Sequence, residues 1–180
     1  INSCKKSKLD LLPHGPTEQS YFTKEDDFTK AVLGVYAKMT DFFWYNGGSP
    51  PIPAFLLPGD DLTTNDNNEP FETFGPLQPS NGTLSTWYTA NYQMVARANV
   101  VLEKISEVAA GIYKTPNLQN YHKGEALFLR GYAFYNLWNL FGTSPLVTER
   151  VTNDGQFTPP GSAGTELLDQ AIQDFTASAG

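Results

Sequence analysis

The chain has 180 residues, a formal net charge of −7 and a pI near 4.7, so we expect a single domain of ordinary size that repels nucleic acid. Hydrophobic residues make up 40% of the chain and aromatic residues 13%, whereas charged residues make up only 17%, which favours broad packing or stacking surfaces. No run of about 18 or more apolar residues is present, so the sequence predicts no transmembrane helix.

The lone cysteine, Cys4, follows Ile1, Asn2 and Ser3 and precedes two lysines. An aliphatic residue three positions before a cysteine and a small residue directly before it are typical of a bacterial lipoprotein signal, so we expect Cys4 to be lipidated. A free cysteine near a frayed terminus is the alternative. Under the first interpretation, residues 1–20 are a lipid-anchor tether and N-terminal extension, and residues 21–180 are an incomplete helical domain. The acyl chains would then hold the protein on a membrane surface.

The first predicted helix begins after Thr23 and runs to about Tyr45. Acidic residues occupy its first turn, where the helix dipole favours negative charge. Its apolar residues recur at spacings of three and four and form one face: Phe28, Ala31, Val32, Val35, Tyr36, Met39, Phe42 and Phe43.

Residues 46–82 predict a long loop, because prolines and glycines interrupt them throughout. Loops longer than about 12 to 15 residues are usually functional or disordered. This one also contains many apolar residues, so we expect an ordered excursion that its own side chains hold in place. One stretch within it is crowded with acidic and amide side chains: Asp60, Asp61, Asn65, Asp66, Asn67, Asn68 and Glu69.

Three further helices are predicted, from about Leu84 to Val108, from Pro116 to Phe141, and from Thr165 onwards. Arg130 is the only charge in the second half of the middle one, which is apolar on two faces and therefore needs cover on several sides. One face consists of Ala126, Leu129, Ala133, Leu137 and Leu140, and the other of Phe128, Tyr132, Tyr135 and Trp138. The last helix places Leu168, Ala171, Ile172 and Phe175 on one face.

A helix that is apolar almost all round is best explained as the central member of a stack of antiparallel helix pairs. The predicted fold class is therefore all-α, with tetratricopeptide-like antiparallel helix pairs and long ordered loops. No clean 34-residue repeat is visible, although that is the period of tetratricopeptide units.

The motifs of common catalytic and cofactor sites are absent, including His-Glu-x-x-His, Cys-x-x-Cys and Gly-x-Ser-x-Gly. His14 and His122 have no partner pattern. We therefore expect no catalytic residues, no cofactor and no metal. The acidic stretch leaves three alternatives open: turns and caps, contacts to sugar hydroxyls or calcium, or the carboxylate pair of a glycoside hydrolase.

Rings next to amides and carboxylates favour a sugar site, because a pyranose stacks on an aromatic face while its hydroxyls need planar donors and acceptors. The alternative is that these rings fill gaps between helices. The candidate ligand-binding residues are Trp44, Tyr45, Asp66, Asn67, Asn68, Phe71 and Phe74.

Several blocks carry a family resemblance: Cys4 followed by Leu9-Asp10 and Pro13, the helix entry at residues 21–23, Asp60-Asp61, Trp87-Tyr88 leading into residues 97–102, and residues 124–137 continuing to 140–147. The last is the most specific, since a helix there closes on a Phe-Gly-x-x-Pro-Leu-Val turn. Together they resemble the SusD/RagB family of outer-membrane nutrient-binding lipoproteins of Bacteroidetes, over nearly the whole chain.

The resemblance implies a lipid-anchored protein at the cell surface of the outer membrane, which captures oligosaccharide or polysaccharide for import through a SusC-like TonB-dependent transporter. It implies a tetratricopeptide-like scaffold that forms a lid on the transporter, without catalysis. Family members are usually much longer, so this chain corresponds to their first part. The tryptophan-rich platform of starch binders is absent after Asp61, so starch itself is not favoured. The alternative function is a helical protein–protein interaction module without sugar binding.

Overall fold

The computed structural model describes residues 20–42, 52–59, 61–65, 68–156 and 158–180. These residues form six α-helices: α1 (Glu25–Tyr36), α2 (Pro53–Leu56), α3 (Glu69–Glu72), α4 (Gly82–Ser106), α5 (Leu118–Phe141) and α6 (Glu166–Ser178). A 3-10 helix (Ala37–Phe42) extends α1, and another (Asp154–Gln156) precedes α6. Over the described ranges there is no β-strand beyond an isolated bridge between Pro145 and Gly161, so the predicted all-α class is confirmed.

The helix starts follow from local polar contacts. The Asp27 carboxylate accepts the N–H groups of Thr23 (3.1 Å) and Lys24 (3.2 Å). With this cap α1 begins after Lys24, one residue later than the predicted start after Thr23. The side chain of Asn81 caps α4 by accepting the N–H of Leu84 at 3.2 Å. None of the helices among the described residues is long and apolar enough to span a membrane.

Contacts between α1 and α4 give their relative direction. Phe28, near the start of α1, contacts the ring of Tyr113, which lies beyond the end of α4, at 5.1 Å between ring centroids. Phe42, beyond the end of α1, contacts Trp87 near the start of α4, at 4.5 Å. The two helices are therefore antiparallel, as the predicted pairing requires.

The same reasoning places α5 antiparallel to α4 and to α6. Asn136, near the end of α5, donates to Asn91 in the first half of α4 at 3.1 Å. Arg130, in the middle of α5, donates to Asn99, further along α4, at 2.9 Å. Across the other pair, Arg130 meets Asp174 and Gly124 approaches Ser178 at the end of α6. The α5 helix packs on α1, α4 and α6, so its predicted central position is confirmed.

The two apolar faces of α5 differ in burial. Ala126, Leu129, Ala133 and Leu137 are fully buried, whereas Phe128 remains 47% exposed and Tyr135 41%. The expectation of cover on several sides is therefore met, but these two rings of the second face stay partly exposed. The reason is that α1, α4 and α6 cover three sides of α5, and no other described helix covers the fourth.

The buried face of α6 is rotated by about one position from the predicted one. Leu167, Ala171 and Asp174 are buried, whereas Ile172, which the prediction placed inside, is 53% exposed. The cause is Arg130 on α5, which draws the Asp174 carboxylate into the α5–α6 contact. A prediction that counts apolar residues alone does not foresee a buried acid.

His122 lies in a small polar cluster between α1, α5 and the α4–α5 loop. It is 3% exposed, with Nε2 3.2 Å from the Thr29 hydroxyl and Nδ1 2.9 Å from the Tyr113 hydroxyl. The Thr29 hydroxyl proton is donated to the Glu25 carbonyl, so Thr29 accepts from Nε2–H and Tyr113 donates to Nδ1. This assignment requires a neutral imidazole. Burial lowers the pKa of His122 from 6.5, against the opposing effect of the Glu125 and Glu25 carboxylates.

We expect the free energy of unfolding to fall as the pH drops below 6.5, which is the pKa of His122 in the unfolded chain. The fall should end once the pH is below the lowered pKa of His122 in the folded chain. Between these two pKa values the unfolded chain takes up a proton on His122 and the folded chain does not. Denaturant titrations at about pH 7.5 and about pH 5.5 measure this difference. His122→Asn should show a smaller difference than the unsubstituted protein. Equal differences in the two proteins would contradict the assignment.

Candidate functional site

The segment between the first 3-10 helix and α4 carries most of the predicted ligand-binding residues. Its described residues are 52–59, 61–65 and 68–81, and we refer to them as the α2–α3 excursion. Ala54, Leu57 and Phe71 form a buried cluster against Leu84. The ring of Phe55 packs on Trp87 at 4.3 Å. The predicted ordered excursion is thus confirmed over this part, and it is attached to the start of α4.

Phe71 is one of the residues that hold the excursion in place. It is only 5% exposed and contacts the other members of the cluster, so its ring has no free face for a ligand. The role of stacking ring that the sequence predicts for Phe71 is therefore wrong. The alternative interpretation, in which such rings fill gaps in the packing, is the correct one at this position.

Phe74 has the opposite environment, and the end of α3 explains why. Thr73 donates its N–H to the Glu69 carbonyl, and Gly75 donates to the Pro70 carbonyl, both at 3.0 Å. The second bond is the signature of a Schellman motif, in which the residue after the cap adopts a left-handed conformation. That residue is Phe74, with φ of 52°, and its ring is 79% exposed.

A phenylalanine is an unusual choice at this position. The left-handed conformation costs a residue with a side chain roughly 1–2 kcal/mol, and glycine is the common residue there. Exposure of the ring adds no packing energy in return. Backbone strain that persists without a packing benefit is a reason to look for a function, and a large exposed ring is suited to stacking on a ligand.

Polar groups of the excursion line a cavity that includes Glu72, two positions before Phe74 in the sequence. This cavity of about 220 Å³ is lined by Gly59, Asp61, Leu62, Thr63 and Glu72. The Glu72 carboxylate accepts the N–H of Thr64 at 2.8 Å. This bond, followed by one from the Thr63 hydroxyl, lowers the pKa of Glu72, so the carboxylate stays ionised and remains a hydrogen-bond acceptor.

Asn68 connects α3 to α4. Its side-chain oxygen accepts the hydroxyl of the buried Thr83 at 3.0 Å. This contact fixes the start of α3 against the first turn of α4, so Asn68 has a positioning role in the structure. Its predicted contact with a ligand is not tested by this geometry.

Five of the predicted residues lie outside the described part of the chain: Trp44, Tyr45, Asp66, Asn67 and the lipidation residue Cys4. Two residues that the sequence analysis did not select do belong to the excursion's surface, namely Glu72 in the cavity and Phe55, which is 40% exposed. Among the described residues, no group of three or more His, Cys, Asp and Glu side chains could hold a metal ion.

Comparison with known proteins identifies relatives over most of the chain. A family model described as "Starch-binding associating with outer membrane", of SusD-like type, matches residues 59–180. SusD-like protein P38 of Formosa agariphila is 26% identical over 185 residues, which cover 97% of this chain and 33% of that protein. The chain spans about a third of the length of this relative.

Solved structures resemble the fold. A laminarin binding SusD-like protein matches with a TM-score of 0.69 and 22% identity, over 87% of this chain and 34% of the other. A SusD superfamily protein from Parabacteroides distasonis matches with a TM-score of 0.73 and 19% identity, over 86% and 33%. At this level of identity the likeness shows the fold alone, and it agrees with the predicted tetratricopeptide-like class.

Proposed function

Because the chain belongs to the SusD-like family, we propose that the protein binds oligosaccharide or polysaccharide at the bacterial cell surface without transforming it. The description of the family model, which joins starch binding with the outer membrane, supports this class of ligand and this location. The observation in the molecule that carries the proposal is Phe74, an exposed ring held in a strained backbone conformation on an otherwise anchored excursion.

In this proposal the Phe74 ring stacks on the apolar face of a sugar ring, while hydroxyl groups of the sugar reach the polar groups of the excursion. The ionised Glu72 supplies an acceptor, and Asp61 and Thr63 line the same cavity. Aromatic side chains combined with a few placed polar groups are the usual composition of a small-molecule site. Trp44, Tyr45, Asp66, Asn67 and Asn68 remain proposed contacts.

We further propose that the glycan passes to a SusC-like TonB-dependent transporter and that lipid on Cys4 holds the protein at the outer membrane. The sequence around Cys4 and the outer-membrane description of the family support this arrangement. Co-purification of a barrel protein with the tagged protein from membranes would test the partnership. Labelling with radioactive palmitate, with Cys4→Ser as the control, would test the anchor.

A panel of neutral polysaccharides, with laminarin among them, provides the test of glycan binding by affinity gel electrophoresis. We expect at least one polysaccharide to retard the protein and none to release reducing ends on incubation with it. Failure of every polysaccharide to retard the protein would overturn the proposed function. Release of reducing ends would instead indicate a hydrolase.

A second function, a helical interaction module without sugar binding, is favoured by one observation. Phe128, Tyr135 and Ile172 expose apolar surface on neighbouring parts of α5 and α6. Recovery of a bound protein partner, together with no retardation by any polysaccharide, would support this second function over the first.

Phe74→Gly is expected to separate stability from binding. Glycine adopts the left-handed conformation without strain, so the free energy of unfolding should rise by about 1 kcal/mol. Loss of the stacking ring should weaken binding of the polysaccharide that retards the unsubstituted protein by about 2- to 10-fold, equivalent to about 0.5–1.5 kcal/mol. Denaturant titration and affinity gels measure the two effects. Leu33→Ala, at an exposed apolar position on α1, is the control and should leave binding unchanged.

A further inference from the structure

A second concave surface lies along α4, on the side where residues 145–156 cross it. This groove has a volume of about 580 Å³, within the roughly 300–1,000 Å³ that is usual for sites that bind small molecules. Tyr88, Thr89, Gln93 and Ala96 line it from α4, and Val147 and Gln156 line it from the crossing segment. We refer to it as the α4 groove.

The far wall of the α4 groove is fixed by hydrogen bonds to α4. Tyr92 donates its hydroxyl to the Pro145 carbonyl at 2.6 Å. Asn99 donates its amide to the carbonyls of Val147 and Glu149, each at 2.9 Å. Because these bonds hold the crossing segment at three points, the groove exists before any ligand arrives, which lowers the entropic cost of binding.

Tyr88 provides a supported aromatic surface at one end of the groove. Its ring lies 4.7 Å from that of Tyr92 and meets the ring of Phe141 edge-on at 5.2 Å. These two neighbours limit the rotamers of Tyr88, and 36% of the residue remains exposed. A held, partly exposed ring is the arrangement that stacking on a flat apolar ligand face requires.

The polar lining of the groove favours an uncharged ligand. Thr89 and Gln93 lie one turn apart on α4 and are both exposed, while the small side chain of Ala96 leaves room beyond them. The charged residues of the lining are one acid, Glu149, and one base, Arg150, so the groove has no net charge to attract an anion or a cation. An uncharged ligand with one apolar face and several hydroxyl groups fits this composition.

From this geometry we infer that the α4 groove is a second saccharide subsite, in which Tyr88 stacks on a sugar ring and Thr89 and Gln93 contact its hydroxyl groups. The inference rests on the proposed function. Trp87 contacts the α2–α3 excursion, and Tyr88, the next residue, lines the groove, so both sites adjoin the start of α4. One polysaccharide that engages both would bind more tightly than a fragment confined to either.

Two variants test the subsite in different ways, Tyr88→Ala and Ala96→Leu. The first removes the stacking ring. The second places a larger side chain in the groove, and leucine is also a good helix former. Affinity gels with the polysaccharide that retards the unsubstituted protein should show about 2- to 10-fold weaker binding for each variant. Thermal unfolding of Ala96→Leu close to that of the unsubstituted protein would show that the loss is not caused by misfolding.

Retardation of both variants equal to that of the unsubstituted protein would overturn the subsite and leave the proposed function standing. Absence of retardation for the unsubstituted protein would overturn both. Ala96→Leu decides the matter if Tyr88→Ala proves unstable, because the exposed position of Ala96 tolerates a larger side chain.

Discussion

Arg130→Met is expected to lower the free energy of unfolding by about 3–5 kcal/mol, because it leaves the Asp174 carboxylate buried without its partner. Arg130 donates from Nε and Nη2 to the two carboxylate oxygens of Asp174, each at 2.7 Å. Asp174 is 2% exposed and Arg130 is 8% exposed, so water cannot replace the lost bonds. Denaturant titration of the variant measures the change.

Arg130 also joins three parts of the fold. Its Nη1 donates to Asn99 on α4 and to the Thr148 carbonyl, both at 2.9 Å. The arginine therefore links α5 and α6 to α4 and to the segment that forms the wall of the α4 groove. We expect Arg130→Met to loosen residues 147–149 as well as the α5–α6 contact.

Two controls separate a buried ion pair from charge in general. Lys30→Met removes an ion pair with Asp26 in which both side chains are more than half exposed, and its effect should stay below about 1 kcal/mol. The double variant Arg130→Met/Asp174→Leu should recover much of the loss, since no buried charge is left unpaired. A cost for Arg130→Met no larger than that for Lys30→Met would contradict the role of the buried pair.

Gly131→Leu is expected to destabilise the protein by about 1–3 kcal/mol or more, because α5 and α6 make their close approach at this glycine. A Cβ atom added at Gly131 would lie 3.1 Å from the Ala171 carbonyl oxygen, from Asp174 Cβ and from Phe175 Cε1. The branched end of leucine would have to displace α6 and with it the carboxylate that pairs with Arg130. Thermal and denaturant unfolding measure the cost.

Gly34→Ala in α1 is the matched control. A Cβ atom added there would meet nothing within 4 Å, so alanine should stabilise the helix by about 0.5–1 kcal/mol through its better helix propensity. Opposite signs for the two glycine substitutions are the expected result. A neutral or stabilising Gly131→Leu would show that the two helices do not approach each other as closely as described.

Hydrophobic periodicity was sufficient to predict the long helices. The α4 and α5 helices contain 25 and 24 residues, and their repeats are long enough to locate both ends to within about two residues. Periodicity failed where a charge decides burial. The inward face of α6 depends on Asp174, whose partner Arg130 lies 44 positions earlier in the chain.

The candidate site could be predicted only in outline. Phe71 and Phe74 are the same residue type three positions apart, yet one is buried and the other exposed. The difference comes from the left-handed turn at the end of α3, and Phe74 carries no local sequence signal for it because glycine is the residue expected there. Tyr88 was visible as part of the family block, but its position in a groove depends on how residues 145–156 cross α4.

The central claim is that a rigid helical frame presents the α2–α3 excursion to a glycan, and hydrogen–deuterium exchange tests it most directly. Exchange is followed with and without the polysaccharide that retards the protein. We predict slower exchange in residues 68–77 on addition of the polysaccharide and no change in α1. Unchanged exchange in residues 68–77, with protection elsewhere, would contradict the account.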